Sequence, residues 1–234
     1  ALAVEKILKL EMSSSVDVNN CGQGGYNSAE ILIRFLLQIL DTKPDMVVLY
    51  HAYNDIRSYL TPEFQSDYSH SRRNLGETYW KYGLASKIPD LKLLFLEYLV
   101  NKWFGGTVRN SLLDHVGIGE IDIKADPREG LRAYERNLQS IIDVCRGNNI
   151  QLVLSTFCHF LHEQIRNDPI HLTYEKIVKR ENEIIRLLAK KNDLKLVDNN
   201  RLVPQNEKYF VDSIHFSPEG MKLIARNIAD VILS

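Results

Sequence analysis

Two residues near the C-terminus, Asp212 and His215, have the types and the spacing to work as a carboxylate and a base. They lie in the stretch Phe210 to Gly220, on a loop that feeds directly into a helix start. Ser217 suits an N-cap, Pro218 suits the first helical position, and Phe216 is spaced to staple against Met221. A histidine on such a platform can be held by Asp212 through one ring nitrogen, leaving the other free to take a proton from a nucleophile. Plain loop and cap residues would also be Asp and His here, so the rest of the chain has to decide.

The elements that would position this pair alternate in a regular rhythm. Residues 1–10 have helix-forming composition, and Val16-Asp17-Val18-Asn19 reads as a short strand ending in the glycine-rich turn of residues 21–25. Asn27 and Glu30 form a capping box, Tyr26 and Ile31 a staple, and residues 31–40 carry an apolar stripe at helical spacing. The uniformly apolar run Met46 to Tyr50 reads as a parallel strand buried on both faces, ending at His51-Ala52-Tyr53-Asn54-Asp55. Ligands bind at the carboxyl ends of such strands, so polar residues crowded there point to function. After an interruption, helix and strand alternate again. Asp126-Pro127 opens a helix, residues 150–155 form a strand, Thr173 caps a charged helix, residues 194–197 form the last strand, and the terminal helix buries Met221, Ile224 and Ile228.

The interruption, at about residues 56–125, is rich in aromatics and has an apolar segment from Leu91 to Val100. That segment is too short for a membrane span, which leaves a cap over the site or a partner interface able to support a homo-oligomer. The 234 residues, 44% hydrophobic and 25% charged, suit a single domain over residues 1–234 carrying this insertion. A net charge of -1 produces no global field for nucleic acid or an anionic membrane. Cys21, Cys145 and Cys158 have an odd count and no metal spacing, which favours a reducing compartment such as the cytoplasm.

Other polar residues are also of types that could do chemistry. His159 and His162, with Asp168 and His171, match no strong ligand pattern, so they are expected as solvated loop residues and no metal is expected. The turn at Gly22 lacks the spacing and lysine of a phosphate loop, so no nucleotide cofactor is expected. His51 and His159 each follow a strand and are candidates for the substrate rim, although His51 can equally be a packed side chain.

Taken together, Asn20-Cys21-Gly22, Tyr53-Asn54-Asp55 and Asp212 to His215 resemble, in order and placement, the SGNH or GDSL-type family of serine esterases. The resemblance spans nearly the whole chain apart from the insertion. It implies an α/β fold, a flavodoxin-like three-layer α/β/α sandwich with a parallel sheet, into which the interruption at about 56–125 would be inserted as a mostly helical cap. It also implies ester hydrolysis through an acyl-serine intermediate, on a small-molecule, carbohydrate or lipid ester and without a cofactor. Asp212 and His215 would complete a Ser-His-Asp triad, and the Gly22 N–H and the Asn54 side chain would be oxyanion donors. Such donors suit the negative charge that ester cleavage builds on the carbonyl oxygen, and losing one costs on the order of 3 kcal/mol of barrier.

Two positions depart from the family pattern. Ala52 stands where the family usually has glycine, and the Gly-Asp-Ser type motif that carries the nucleophile is missing. Ser13, Ser14 and Ser15 precede a strand instead of following one, and Ser28 fits the first turn of a helix. The family's first strand would lie between residues 16–19 and 46–50, and its absence would leave backbone groups unpaired. The expectation is that this strand and the serine lie upstream of residue 1. A non-catalytic carbohydrate- or partner-binding module and a sugar O-acyltransferase stay open as alternatives.

Overall fold

The computed structural model describes residues 1–12, 15–70 and 121–234. They fall into two compact units, Ala1–Ile56 with Leu131–Ser234, and Arg57–Gly130. In the first unit, α1 (Leu2–Glu11) places Val4 and Leu8 one helical turn apart, and both bury against Ala225 and Ala229 of the C-terminal helix. Val16 and Val18 pack on the same cluster, but residues 15–20 form no strand. A strand needs a neighbour for its N–H and C=O groups, and the described residues supply none beside 16–19.

The helix α2 (Ser28–Arg34) opens with the expected capping box, in which the Asn27 side chain accepts from the Glu30 N–H and the Glu30 carboxylate from the Asn27 N–H. Its expected apolar stripe continues through a π-helical stretch, Phe35–Ile39, and a 3-10 turn, Leu40–Thr42, where only Phe35 is buried. There follow β1 (Met46–Tyr50), α3 (Ile56–Tyr59), α4 (Arg128–Gly147), β2 (Gln151–Ser155), α5 (Pro169–Lys191), β3 (Lys195–Val197), α6 (Asn199–Leu202) and α7 (Pro218–Leu233).

All three strands are parallel in the order β1-β2-β3, with Val48 opposite Val153 and Leu154 opposite Leu196. This is the expected α/β arrangement, since parallel neighbours require helical crossovers between them. β2 is buried from Leu152 to Ser155, whereas β1 is only half-buried, because among the described strands it pairs on one side. Tyr134, Leu138, Ile141, Ile142 and Cys145 of α4 are buried.

Two helix readings are corrected. α5 begins before Thr173: Asp168 is its N-cap, accepting from the Ile170 and His171 N–H groups, and Pro169 takes the first position. Asp168 and His171 therefore belong to a helix start, not to a loop. In α7, Ser217 caps as expected, but Met221 is exposed. Phe216 turns its ring to Phe210, 5.0 Å away between centroids, and Met221 stays open to solvent where a staple would cover it.

The described part of the second unit centres on rings. Phe64 meets Tyr59 and Tyr68 edge-on at 5.9 and 5.6 Å, and His70 at 5.1 Å. The remainder of the expected cap, residues 71–120, lies outside the described residues. Among the described residues no helix is long and apolar enough to cross a membrane.

Gly220 fixes how closely α7 approaches the preceding loop. A Cβ there would lie 2.1 Å from the Tyr209 carbonyl oxygen and 3.0 Å from the Phe216 ring. Gly220→Ala is expected to destabilise the protein by about 1–3 kcal/mol. Urea unfolding would read this as a lower midpoint with unchanged slope.

Candidate active site

The loop carrying Asp212 and His215 is closed by backbone bonds across its neck. Val211 N–H donates to the His215 carbonyl at 2.9 Å, and Ser217 N–H to the Tyr209 carbonyl at 3.0 Å. Within it the two Asp212 oxygens divide the work. Oδ1 accepts from the Ile214 N–H at 2.9 Å and the His215 N–H at 2.8 Å, while Oδ2 faces His215 Nδ1 at 2.6 Å. The loop-residue reading and the carboxylate–base reading of Asp212 are thus both satisfied, by different oxygens. An ionised carboxylate only accepts, so Nδ1 bears the hydrogen, and in the neutral ring it is Nε2 that carries the lone pair. Both side chains are exposed. Partial desolvation pushes the Asp212 carboxyl up, but hydrogen bonds from the Ile214 N–H and from His215 outweigh it and hold the group below its ordinary value of 3.8.

The end of β1 reaches the same region. Asn54 N–H bonds back to the Ala52 carbonyl at 2.7 Å, forming a three-residue turn around Tyr53, whose φ is 68°. Such γ-turns with positive φ at the centre are rare and strained for a residue with a side chain. Ala52 is not among the residues of positive φ, so the family glycine is not needed there for backbone freedom. The Tyr53 N–H donates to Glu181 Oε2 at 3.1 Å, and Asn54 Nδ2 donates to the Tyr26 carbonyl at 3.1 Å. An amide nitrogen has two hydrogens, so one of Asn54 is left beyond the Tyr26 bond.

Gly22 is exposed, and its N–H donates to Asn20 Oδ1 at 3.1 Å. Its link to Asn54 is indirect, through the residue 22–26 loop whose Tyr26 carbonyl Asn54 holds. His51 takes the packed alternative: it is buried, and its Nε2 lies 2.6 Å from Asp55 Oδ2. Asp55 is fully buried and also accepts from the Ser28 N–H at 2.9 Å and the Ser28 hydroxyl at 2.5 Å. Ser28 is thereby packed at the start of α2. Ser15 is exposed, and Ser13 and Ser14 lie outside the described residues. Among the described residues no serine hydroxyl bonds to His215.

His159 lies in a loop as expected, but it is buried rather than solvated. Its ring stacks on Tyr53 at 5.8 Å, and neither ring nitrogen has a partner among the described residues. Burial pushes its pKa down to about 4, so the ring is neutral at pH 7. The next residue, Phe160, donates its N–H to the Ser213 carbonyl at 2.9 Å, tying the loop after β2 to the loop of Asp212 and His215. Tyr53 itself is pushed up to about 12 by burial, with the charges of Tyr174 and Asp212 adding to the shift. Among the described residues no His, Cys, Asp and Glu group could hold a metal. Burial raises Cys158 to about 12 and Cys145 to about 11, so neither thiol is a ready nucleophile.

The sequence reading missed two polar residues of α5. Glu181 holds Tyr53, and the Asn182 side chain accepts from the Phe157 N–H at 2.7 Å and donates to the Phe157 carbonyl at 2.8 Å. A signal was available: both sit on the stripe that buries Ile177, Val178, Ile185 and Leu188, where polar residues need internal partners.

The profile of the GDSL-like lipase/acylhydrolase family matches residues 4–223. The chain belongs to this family. No curated protein matches it in sequence. Solved structures of GDSL-type and related esterases share its fold at low identity. An acetyl xylan esterase, AlAXEase, is 17% identical with TM-score 0.58, covering 99% of this chain and 89% of that one. A catalytic mutant of an acetylxylan esterase from Geobacillus stearothermophilus is 16% identical with TM-score 0.57, covering 98% and 78%. A lipase/acylhydrolase from Enterococcus faecalis is 15% identical with TM-score 0.56, covering 98% and 82%. The parallel sheet and helices described above are thus those of the SGNH hydrolase-like α/β fold.

Two acid titrations follow for this family member. Asp212 has a depressed folded pKa, so its contribution to stability is complete above the ordinary carboxylate value and is lost as pH falls through the folded one. Carboxyl carbon NMR should place its midpoint below 3.8. His159 loses stability in the same direction, but at higher pH. The unfolded chain takes the proton near 6.5 and the folded chain only near 4, so stability falls between these values and levels off below them. The loss is on the order of 3 kcal/mol, and denaturant titrations of His159→Leu should show it reduced.

Proposed function

We propose that the protein hydrolyses an ester through an acyl-serine intermediate, with His215 as base and Asp212 as the residue that orients it. The observation that carries this reading is the 2.6 Å contact between His215 Nδ1 and Asp212 Oδ2, on a loop whose backbone the same carboxylate organises. The serine oxygen forms a bond to the ester carbonyl carbon as its proton passes to His215 Nε2. The carbonyl electron pair moves onto oxygen. Collapse of this intermediate expels the alcohol, which takes the proton from His215. Water then repeats the sequence on the acyl-serine, releasing the acid and restoring the serine.

The Asn54 side chain, with the hydrogen it does not give to Tyr26, and the Gly22 N–H are the proposed oxyanion donors. In that role the substrate oxygen takes the place of Asn20 Oδ1 on the Gly22 N–H. Membership of an acylhydrolase family and a fold shared with acetyl xylan esterases support a small ester substrate. A sugar hydroxyl attacking in place of water would turn the same residues into an acyltransferase, and product analysis separates the two.

A fluorophosphonate probe with 4-nitrophenyl acetate tests the proposal, and mass spectrometry of the labelled peptide identifies the serine. Labelling and turnover should both collapse in His215→Ala. Absence of both in the wild-type protein would overturn the hydrolase reading in favour of a binding module. Asn54→Ala should lower kcat by about 10²–10³-fold with little change in KM, the signature of a donor used in the transition state.

A further inference from the structure

The turn that presents Asn54 is not one its own residues favour. Tyr53 sits at a φ of 68°, and the Asn54 N–H closes on the Ala52 carbonyl at 2.7 Å. Glycine adopts this conformation freely, but tyrosine persists in it only where the surroundings compel it. The compelling group comes from elsewhere in the chain. The carboxylate of Glu181, 128 positions further on, accepts the Tyr53 N–H at 3.1 Å. It belongs to α5, its side chain is fully buried, and it replaces the apolar residue that the helical stripe calls for. A carboxylate in such a place is costly unless it is hydrogen-bonded, so an apolar side chain would serve the core better if packing were the only requirement.

Its neighbour Asn182 acts on the adjacent strand end. Both polar ends of its side chain are bonded to the backbone of Phe157, whose ring is stacked 6.1 Å from that of Tyr53. One turn of α5 therefore holds the loops leaving both β1 and β2.

We propose that Glu181 is a positioning residue for the oxyanion donor Asn54, acting through the backbone N–H of Tyr53. The inference rests on the hydrolase reading for its kinetic effect, but its structural content does not. Glu181 holds Tyr53 in the left-handed conformation, the turn at Ala52 to Asn54 follows, and the Asn54 amide is aimed by that turn. Because Glu181 takes the Tyr53 N–H, that group is unavailable to a substrate, and donation from this loop falls to the Asn54 side chain.

A double-mutant cycle with an NMR readout tests it in the whole chain. Glu181→Leu removes the acceptor, and Glu181→Gln keeps an acceptor oxygen without the charge. Tyr53→Gly permits the positive φ without help. Glu181→Leu should lower kcat for 4-nitrophenyl acetate by about tenfold or more with KM little changed, and Glu181→Gln should restore most of that loss. In the Tyr53→Gly background the same Leu substitution should cost only a few-fold, since the turn no longer needs holding. Equal costs in the two backgrounds would overturn the proposal, as would a loss in KM alone.

NMR judges the positioning without turnover, and also if Glu181→Leu is too unstable to assay. In Glu181→Gln at low temperature, the Tyr53 amide should stay protected from exchange and the Asn54 side-chain amide should keep its shift. In Glu181→Leu, or in the partly unfolding ensemble it forms, exchange at Tyr53 should rise well beyond that of β2 amides. Uniform loss of protection across Tyr53 and β2 would reduce Glu181 to a general stability role and overturn the proposal. A wild-type protein that turns over no ester would overturn the hydrolase reading alone and leave the exchange result to decide this one.

Discussion

Loops that leave a parallel sheet can be ordered only if the backbone N–H groups released from the ladder find other acceptors. In this protein side-chain oxygens meet that demand after β1 and β2, and side-chain oxygens also hold the start of α2 and the loop before α7. Glu181 takes the Tyr53 N–H, Asn182 the Phe157 N–H, Asp55 the Ser28 N–H, and Asp212 those of Ile214 and His215. The acceptors that shape the backbone then have a second oxygen or a nitrogen to spare. Asp212 uses it on the imidazole of His215, Asp55 on the Ser28 hydroxyl and Asn182 on the Phe157 carbonyl. Local backbone order and the disposition of the polar side chains are in this way one problem with one solution.

The cost of that solution is concentrated in a few places. Glu181, Asn182 and Asp55 are fully buried polar groups in positions that apolar residues would fill more cheaply. Tyr53 is held at positive φ, and Gly220 is the one residue type that lets α7 close against the Tyr209 carbonyl. The rest of the first unit offsets this in the ordinary way, with β2 buried between its neighbours and α1 packed on α7. Exposure follows the same division. The supporting carboxylates are buried, whereas Asp212 and His215 are open to solvent, where a substrate can reach them.

Structural neighbours at 13–17% identity keep the fold while almost every side chain differs. Layers of helix against a parallel sheet require only apolar residues at the right period, which many sequences supply. A site is less forgiving, because it needs particular atoms at hydrogen-bond distance. This explains why family membership and fold follow from similarity here, whereas the role of each side chain has to be argued from geometry and tested.

Much of this was legible in the residues. Hydrophobic period and cap chemistry are local, so the capping box at Asn27, the strands at 46–50 and 151–155, the Ser217 cap and the α/β class could be read directly. The Asp-x-x-His spacing on a helix-entry loop likewise brought the proposed base and its carboxylate to notice. Readings that depended on a distant partner did not survive in the same form. Residues 16–19 have strand composition but no ladder neighbour among the described residues, and His51 and His159 follow strands yet are buried. Glu181 and Asn182 looked like polar residues of a charged helix until the strand ends came against them. Local propensity is set by a residue and its few chain neighbours. A strained turn at Tyr53 held from 128 positions away is set by a contact that exists only once the helix and the sheet have packed.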